Sequence, residues 1–463
     1  MPFGTCLEEN GDTTFRLWAP TARGVDLCLE SDNQERILPL ESREDGWFSL
    51  TTDQAGVGSW YRFRVDGRQR VPDPASRFQP RDVHGPSCVV DPKAFVWHDA
   101  DWRGRPWQET VIHELHVGTF SPRGDYRGVE ASLQHLVDLG VTAIELMPLA
   151  DFPGQHGWGY DGVLLFAPKS AYGSPEALKR LVDAAHAHGL MVFLDVVYNH
   201  FGPEGNYLHL YAPTFFHPRY HTPWGVAMNL AGASSHWVRQ FFIHNALYWL
   251  NEYHMDGLRL DAVQAMIDDS VPHILHELAT AVNTGPGAAR HVHLILENDA
   301  NTARFLRETN TCHATGGSIG EAPKEAETDR CQAQWNDDLH NALHHILTGE
   351  SQGYYLDFQE KPLRHLGRAL AEGFAFQGES SPYRDDHPRG EPSAQLPPTA
   401  FVSFLQNHDQ VGNRLAADRL TTLIPPEALR AATTLILLAP QIPMLFMGQE
   451  WGCRQPFPFF CDL

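Results

Sequence analysis

Residues 256–263, with the sequence DGLRLDAV, decide the fold because they form an apolar strand that carries two charged side chains. Leu258, Leu260 and Val263 are the kind of residue that a buried parallel strand requires. Arg259 and Asp261 are two residues apart, so on a strand their side chains leave the same face. They form either a structural ion pair, since buried charges occur when paired, or part of an active site at the end of the strand.

Around this stretch, strand patterns alternate with helix patterns from about residue 110 onward. Such alternation predicts a parallel sheet, and eight units predict an α/β fold closed as a (β/α)8 TIM barrel. An open doubly wound sheet is the alternative, but no glycine-rich nucleotide motif follows any strand. The predicted strands are VIHELHV, VTAIELMPL, LMVFLDVVYNH, MDGLRLDAV, VHLILEND, CQAQWNDD, FVSFLQNHD and IPMLFMGQE. The predicted helices are GVEASLQHLVDLG, SPEALKRLVDAAHAHG, HWVRQFFIHNALYWLNEYH, VPHILHELATAV, TARFLRE, LHNALHHIL and EALRAATTLILLAP.

The first 95 residues follow a different pattern. Short alternating runs such as TTFRLWAP and SWYRFRVDG, separated by Gly, Asp and Pro, predict a small all-β, immunoglobulin-like sandwich. We therefore expect a sandwich at 1–95, a connector at 96–109 and a barrel at 110–463 with a short insertion at 201–235. The sequence ends just after the eighth predicted strand, so we also expect an eighth helix and a C-terminal β domain to be missing, which would leave one apolar flank exposed.

The composition excludes several classes of partner. The formal net charge of −22 argues against a nucleic-acid partner or an anionic membrane. No apolar stretch is long enough to cross a bilayer, and the N-terminal residues show no secretion signal. Seven scattered cysteines without a CxxC pair indicate reduced thiols in a cytoplasmic protein. The oligomeric state is left open.

Acidic residues end five consecutive predicted barrel strands, which is the edge where barrel enzymes place catalysis. Such a ring of acids forms either a metal cage or a carboxylate pair for acid/base chemistry. Metal cages usually have no adjacent arginine, whereas an arginine keeps a nucleophilic carboxylate ionised. A second carboxyl with a raised pKa would serve as general acid, as in glycoside hydrolysis. The acids are Asp195, Asp261, Glu297, Asp337, Asp338 and Asp409.

Four stretches at these strand ends carry a family resemblance. DVVYNH, DGLRLDAV, LILEND and FLQNHD stand in this order at the third, fourth, fifth and seventh strands. They resemble the four signature regions of glycoside hydrolase family 13, the α-amylase clan. The N-terminal FRLWAP is similar to the sandwich of branching, debranching and trehalose-forming members. The resemblance spans about residues 110–460.

The resemblance also implies roles for individual residues. Asp261 matches the nucleophile, Glu297 the general acid/base and Asp409 the aspartate that stabilises the transition state. The sugar-binding residues that it implies are Arg259, which orients the nucleophile, Tyr160, which stacks on the reacting glucose, and His200 and His408, which bind hydroxyls. Asn199 matches a calcium ligand of true α-amylases, but the loop after the third strand is short for a calcium-binding domain. We therefore expect no metal and no cofactor.

Three further stretches resemble clan members that act on trehalose-capped maltooligosaccharides: VPDPASRFQP with VHGPS, WNDDLHNALHH, and QNHDQVGNR. They imply hydrolysis of the α-1,4 bond next to the terminal trehalose unit of maltooligosyltrehalose. A branching or debranching enzyme and a catalytically silent α-glucan-binding protein are the alternatives. The run that begins at Trp335 has a second explanation, because Asn and Asp are favoured helix caps. The additional substrate-binding residues implied are Trp335, Asn336, Asp337, Asp338, His340, Gln410 and Asn413.

Overall fold

A closed barrel of eight parallel strands forms the larger part of the protein. The structure is a computed structural model that describes residues 1–31, 34–307 and 328–462. The predicted fold class is confirmed, and each predicted barrel strand contains an observed one. The barrel strands are β10 Ile112–Leu115, β11 Ala143–Leu146, β14 Met191–Val196, β17 Gly257–Leu260, β18 His293–Leu296, β19 Ala333–Trp335, β22 Phe401–Ser403 and β23 Ile442–Phe446.

The DGLRLDAV stretch supplies the fourth barrel strand, β17, and its two faces have different surroundings. Leu258 and Leu260 belong to the apolar cluster that also includes helix residues outside the barrel. Arg259 is in register with Ile295, which belongs to the separate cluster that includes residues of seven barrel strands. The fully buried Arg259 therefore points into the barrel, toward the end where β17 stops.

Helices cover the outside of the barrel largely as predicted. The predicted helix at TARFLRE is wrong within the described residues, since only a 3-10 turn, Ala303–Leu306, forms there. Seven residues are too few to offset the cost of helix nucleation without strong packing. The last residue of that prediction, Glu308, lies outside the described residues, as does Cys312. The helices are α1 Val117–Phe120, α2 Tyr126–Glu130, α3 Leu133–Leu139, α4 Pro175–Ala187, α5 His236–Glu252, α6 Ile274–Thr284, α7 Asp337–Thr348, α8 Pro362–Glu372, α9 His408–Gly412, α10 Leu420–Leu423 and α11 Pro426–Leu438.

Three two-stranded antiparallel sheets accompany the barrel. The pair β15–β16 occupies the segment after the third barrel strand, and β20–β21 follows helix α8. The sequence analysis assigned no element to residues 348–400, where α8 and β20–β21 lie. The strands are β12 Ala150–Asp151, β13 Leu164–Pro168, β15 Phe216–Thr222, β16 Gly225–Met228, β20 Glu379–Ser381 and β21 His387–Arg389.

The N-terminal region is a sandwich of two antiparallel sheets, as predicted. One sheet has the order β1-β2-β6-β5, and the other has β4-β3-β7-β8 with β9 paired to β7. Phe15 of the first sheet contacts Tyr61 of the second, with ring centroids 4.9 Å apart. The limits 1–95, 96–109 and 110–463 stay predictions. The strands are β1 Cys6–Leu7, β2 Thr13–Trp18, β3 Val25–Ser31, β4 Gln34–Pro39, β5 Glu41–Ser42, β6 Trp47–Thr52, β7 Trp60–Val65, β8 Gln69–Val71 and β9 Ser87–Cys88.

Among the described residues, each helix is too short or too polar to span a membrane.

A buried polar network connects residues that precede the first barrel strand with the N-terminal end of the barrel strand β17. Asp256, directly before β17, accepts hydrogen bonds from Trp102 Nε1 at 2.7 Å and His186 Nε2 at 2.9 Å. The other ring nitrogen of His186 donates to Asp99 at 2.8 Å. Burial lowers the pKa of His186, but hydrogen bonds to the two carboxylates raise it by a larger amount, so the net shift is upward. A protonated His186 therefore donates hydrogen bonds to two buried carboxylates, those of Asp99 and Asp256.

We expect His186→Phe to lower the free energy of unfolding by about 3 kcal/mol, because it removes one hydrogen-bond partner from each of two buried carboxylates. The phenyl ring would keep the stacking on Trp102, whose ring centroid lies 4.7 Å from that of His186. Since the folded pKa of His186 is raised, its contribution is complete below pH of about 6.5 and is lost as the pH rises through the folded pKa. The deficit measured by denaturant titration should therefore be larger in mild acid than in alkali.

The matched control is His98→Phe. His98 also bonds a carboxylate, that of Asp183 at 2.8 Å, but its side chain is 78% exposed. We expect this change to alter stability by less than about 1 kcal/mol. Equal losses in the two variants would contradict a special role for the buried network.

Candidate active site

Two adjoining cavities open at the C-terminal ends of the barrel strands. The first, which we call the carboxylate cavity, has a volume of about 290 Å³ and is lined by Asp261, Glu297, Asp409, Tyr160, His200 and His408, among others. The second, the adjoining cavity, has a volume of about 230 Å³ and is lined by Asp337, Gln410, Tyr354, Tyr383 and Arg384, among others. Glu297 and Asp409 line both cavities. Four of the six strand-end acids predicted from sequence, Asp261, Glu297, Asp337 and Asp409, thus meet at one mouth, as expected for a barrel enzyme.

Arg259 lies beneath the carboxylate cavity and contacts three acids. Its Nη1 donates to Asp195 Oδ2 and to Asp261 Oδ1, each at 2.7 Å. Its Nη2 lies 3.0 Å from Glu297 Oε2. The guanidinium also lies over the ring of Trp335, 4.1 Å from the centroid. One buried cation therefore fixes the positions of both candidate catalytic carboxylates.

Asp261 is held from two sides at the end of β17. Arg259 Nη1 donates to one carboxylate oxygen, and Asn199 Nδ2 donates to the other at 2.8 Å. Hydrogen bonds of this kind stabilise the charged form of a carboxylate. Asn199 also pairs with the ring of His200, whose Nε2 donates to the carbonyl of Tyr160 at 3.0 Å. The arrangement fixes the Asp261 carboxyl group at the wall of the cavity, in the position that a nucleophile requires.

Glu297 has the opposite electrostatic environment. Burial raises the pKa of its carboxyl well above its usual range, and the charges of Asp261 and Asp409 add to this effect against the attraction of Arg259. Its Oε2 accepts from the backbone N–H of Ala262 at 2.7 Å. Ala262 presents that N–H from a left-handed conformation with φ 41°. A carboxyl with a raised pKa beside a second carboxyl that is hydrogen-bonded to an arginine is the pattern of an acid and a nucleophile.

Asp409 and the two aromatic side chains beside it complete the cavity. The Tyr160 hydroxyl donates to Asp195 Oδ2 at 2.5 Å and lies 2.8 Å from His408 Nε2. The rings of Tyr160 and His408 stack with centroids 5.1 Å apart. Asn413 Nδ2 donates to Asp409 Oδ1 at 3.2 Å, and 41% of the Asp409 side chain is exposed. The polar wall formed by these residues faces the space between Asp261 and Glu297.

Besides Arg259, which is fully buried beneath the carboxylate cavity, four predicted substrate-binding residues are supports and do not line either cavity. Trp335 lies under Arg259, and Asn336 caps α7 by accepting from Leu339 N at 3.3 Å. His340 Nδ1 donates to the Leu405 carbonyl, and its Nε2 bonds Tyr355. Asp338 Oδ2 accepts from three donors, and its Oδ1 pairs with Arg389 at 2.7 Å. These assignments are corrected because the side chains are buried and their polar atoms face the protein; the residues are Trp335, Asn336, Asp338 and His340.

The remaining predicted residues reach the cavities. Tyr160, His200 and His408 line the carboxylate cavity, Asp337 and Gln410 line the adjoining cavity, and Asn413 lines both. Burial, followed by the charge of Asp299, raises the pKa of Asp337 to about 7. The sequence analysis missed the lining residues Trp224, Tyr354, Tyr383 and Arg384, which lie in segments without a strand-end signal. It also missed Glu114, although an acid in the apolar run VIHELHV was the same kind of signal as Asp261.

Comparison with known proteins identifies two regions of the chain. Residues 76–212 match the model of the alpha amylase catalytic domain, and residues 2–84 match carbohydrate-binding module 48, the isoamylase N-terminal domain. The resemblance to the α-amylase clan is thereby confirmed.

Similar proteins extend over nearly the whole chain. The malto-oligosyltrehalose trehalohydrolase of Saccharolobus solfataricus is 43% identical over 462 residues, which are 100% of this chain and 77% of that protein. The protein of the same name from Arthrobacter ramosus is 44% identical over 96% of this chain and 75% of its own length. A crystal structure of a Salmonella typhimurium protein provisionally named an alpha amylase is 46% identical, with a TM-score of 0.91, covering 100% of this chain and 75% of that one.

The neighbours Asp337 and Asp338 provide a test of cavity lining against support. We expect Asp338→Asn to lower the free energy of unfolding by about 3 kcal/mol, because Arg389 would lose its buried partner. Asp337→Asn should change it by less than about 1 kcal/mol. Denaturant titration of both variants checks this, and a larger loss for Asp337→Asn would contradict the assigned roles.

Proposed function

Because the chain belongs to the family of malto-oligosyltrehalose trehalohydrolases, we propose that it hydrolyses the α-1,4-glucosidic bond next to the terminal trehalose unit of maltooligosyltrehalose. The products are trehalose and a shortened maltooligosaccharide. The protein is a glycoside hydrolase of the α-amylase clan. The observation that carries the proposal is the placement of Asp261 and Glu297 against one buried guanidinium at the mouth of the barrel.

In the proposed reaction Asp261 attacks the anomeric carbon while Glu297 protonates the oxygen of the departing trehalose. The raised pKa of Glu297 supports the acid role, since its proton is present at the start of the reaction. In the second step Glu297 removes a proton from water, which attacks the glycosyl–Asp261 ester and restores both carboxyls. Two displacements at one carbon retain its configuration. The carboxylates carry this chemistry, so the proposal involves no cofactor.

The surrounding residues are proposed to hold the sugar on which the two carboxyls act. Asp409 is the residue that stabilises the positively charged transition state, because it lines both cavities and its side chain is partly exposed. Tyr160 provides a ring for the reacting glucose. His200 and His408 lie on the wall of the same cavity. Arg259 orients Asp261 from beneath through its bond of 2.7 Å.

The adjoining cavity is proposed to receive the trehalose unit. It starts at Glu297, which would protonate the leaving oxygen, and extends to Asp337, Gln410 and Arg384. Tyrosines 354 and 383 provide aromatic surfaces on which sugar rings pack. Trehalose has no free reducing end, so its recognition depends on hydroxyl groups that these polar side chains can bond.

We propose further that the protein acts in trehalose biosynthesis in the cytoplasm. The name of the relatives supports the pathway. The location is supported by the described cysteines, all of which are free thiols.

Asp261→Asn and Glu297→Gln should each lower turnover by at least about 100-fold on natural substrate. An α-maltosyl fluoride separates the two roles, because fluoride departs without protonation. With this substrate Glu297→Gln should release a burst of fluoride stoichiometric with enzyme, while Asp261→Asn should release none above background. A burst from Asp261→Asn, or near-normal turnover by Glu297→Gln on natural substrate, would reject the assignment.

The substrate preference is tested with two chains of equal length, one with a trehalose terminus and one without. We expect kcat/KM to be at least about tenfold higher for the capped chain, because a site built for particular hydroxyls is left with unpaired polar groups by another ligand. Asp337→Ala should reduce this ratio more than it slows cleavage of the plain chain. Equal kcat/KM values for the two chains in the unaltered enzyme would leave only a general α-glucan hydrolase.

A further inference from the structure

A second pair of acids, which the proposed reaction does not use, lies in the barrel wall. Glu114 on β10 and Glu145 on β11 are directly paired in register, and each residue is buried with about 1% of its surface exposed. Neighbouring residues in register on parallel strands share one face of the sheet. Two acids side by side in an apolar interior carry a high desolvation cost unless each is either neutral or paired with a hydrogen-bond donor or a cation.

Both carboxylate oxygens of Glu114 contact His408. Oε1 lies 2.5 Å from His408 Nδ1, and Oε2 accepts from the backbone N–H of His408 at 3.1 Å. His408 directly precedes Asp409, and its Nε2 lies 3.6 Å from Asp409 Oδ1. Glu114 therefore holds both the main chain and the ring of the residue next to a proposed catalytic acid.

The hydrogen bonds beyond His408 define where its protons are. The hydroxyl of Tyr160 has one hydrogen, and this hydrogen is donated to Asp195 Oδ2 at 2.5 Å. The phenol oxygen can then only accept at its contact of 2.8 Å with His408 Nε2, so Nε2 must carry a hydrogen. Nδ1 faces the carboxylate of Glu114 and carries a hydrogen as well. A ring with hydrogens on both nitrogens is an imidazolium cation.

We infer that Glu114 is a positioning residue that keeps His408 in the imidazolium form, so that a fixed positive charge lies beside Asp409 at the edge of the carboxylate cavity. This inference rests on the proposed function, because it gives the charge on His408 a role in the cleavage of a glycosidic bond. The cation attracts the carboxylate of Asp409 in a cavity that already holds Asp261 and Glu297. It also directs the phenol hydrogen of Tyr160 toward Asp195.

The charges around His408 agree with this protonation state. Burial lowers the pKa of His408, but the carboxylates of Glu114 and Asp409 raise it by a larger amount, so the net shift is upward. Arg259 opposes this shift. The titratable and charged groups that face His408 are Glu114 on β10, His116 after β10, Tyr160 before β13, Asp195 on β14 through Tyr160, Arg259 on β17 and Asp409 on α9.

Glu145, the second acid of the pair, favours the neutral form. Burial raises the pKa of its carboxyl well above its usual range, and the charge of Glu114 raises it further. Neither of its carboxyl oxygens has a hydrogen-bond partner among the described residues. The pair thus consists of Glu114, which is hydrogen-bonded to His408, and Glu145, whose raised pKa favours the neutral carboxyl. This difference supplies a matched control, because the two residues differ in their contact with His408 and are alike in position and burial.

The experiment compares Glu114→Gln with Glu145→Gln through the pH dependence of kcat/KM on a plain maltooligosaccharide. In Glu114→Gln the buried ring loses its main counter-charge and becomes neutral near pH 7. Between about pH 5.5 and about pH 7.5, kcat/KM of this variant should fall at least about tenfold more than that of the unaltered enzyme, since one unit of pKa is a factor of ten. The profile of Glu145→Gln should overlay that of the unaltered enzyme.

A loss of activity by the same factor at every pH, an unchanged profile for Glu114→Gln, or equal shifts in both variants would overturn the inference. If Glu114→Gln does not fold, nitrogen NMR of the unaltered protein decides, with the His408 signals identified by comparison with His408→Gln. Two protonated ring nitrogens at about pH 7.5 support the inference, and a single one overturns it. The NMR result needs no substrate, so it is independent of whether trehalose-capped chains are preferred.

Discussion

The active-site end of the barrel depends on one buried guanidinium. Arg259 cannot lose its proton under ordinary conditions, and it lies in a barrel whose interior is otherwise mostly apolar. A charge in that position requires partners, and Asp195, Asp261 and Glu297 supply them within 3.0 Å. The face of Trp335 provides a further favourable surface. The acids at the strand ends are therefore placed by electrostatics as well as by backbone geometry.

The two candidate catalytic carboxyls have different surroundings, although both lie close to this cation. Asp261 receives a direct hydrogen bond from Nη1 of Arg259 and a second from Asn199. Glu297 lies 3.0 Å from Nη2 but is raised in pKa by burial and by the neighbouring acids. The proposed roles of nucleophile and acid are thus given to two similar side chains because their surroundings differ. The inferred charge on His408 extends this pattern to Asp409.

Much of the fold could be predicted because the barrel strands are short apolar runs that end in polar residues. The misfit of Arg259 and Asp261 in such a run pointed to the strand ends, where both candidate cavities lie. Helix α8 was missed although its sequence has helix signals, namely Pro362 in the first turn, apolar residues at helical spacing and Gly373 directly after its end. The position of Trp224, by contrast, was beyond sequence reasoning, because it lies between the paired strands β15 and β16 and faces the cavities only through the tertiary structure.

The distinction between contact and support was the part of the site that sequence could not resolve. Asp337 and Asp338 are adjacent, and both resemble residues that bind a sugar. The turn of helix α7 directs them to different sides, so that Asp337 lines the adjoining cavity while Asp338 pairs with Arg389. Only the packing of residues 373–389 against α7 reveals that Asp338 has partners of its own.

The most direct test of the account is the configuration of the sugar released first from a trehalose-capped maltooligosaccharide. Proton NMR during the reaction distinguishes the α-anomer from the β-anomer before they equilibrate, and trehalose, which is non-reducing, does not interfere. The account predicts trehalose together with the α-anomer of the shortened chain, as a double displacement through Asp261 requires. Initial release of the β-anomer would show a single displacement and would contradict the assignment of Asp261 as nucleophile.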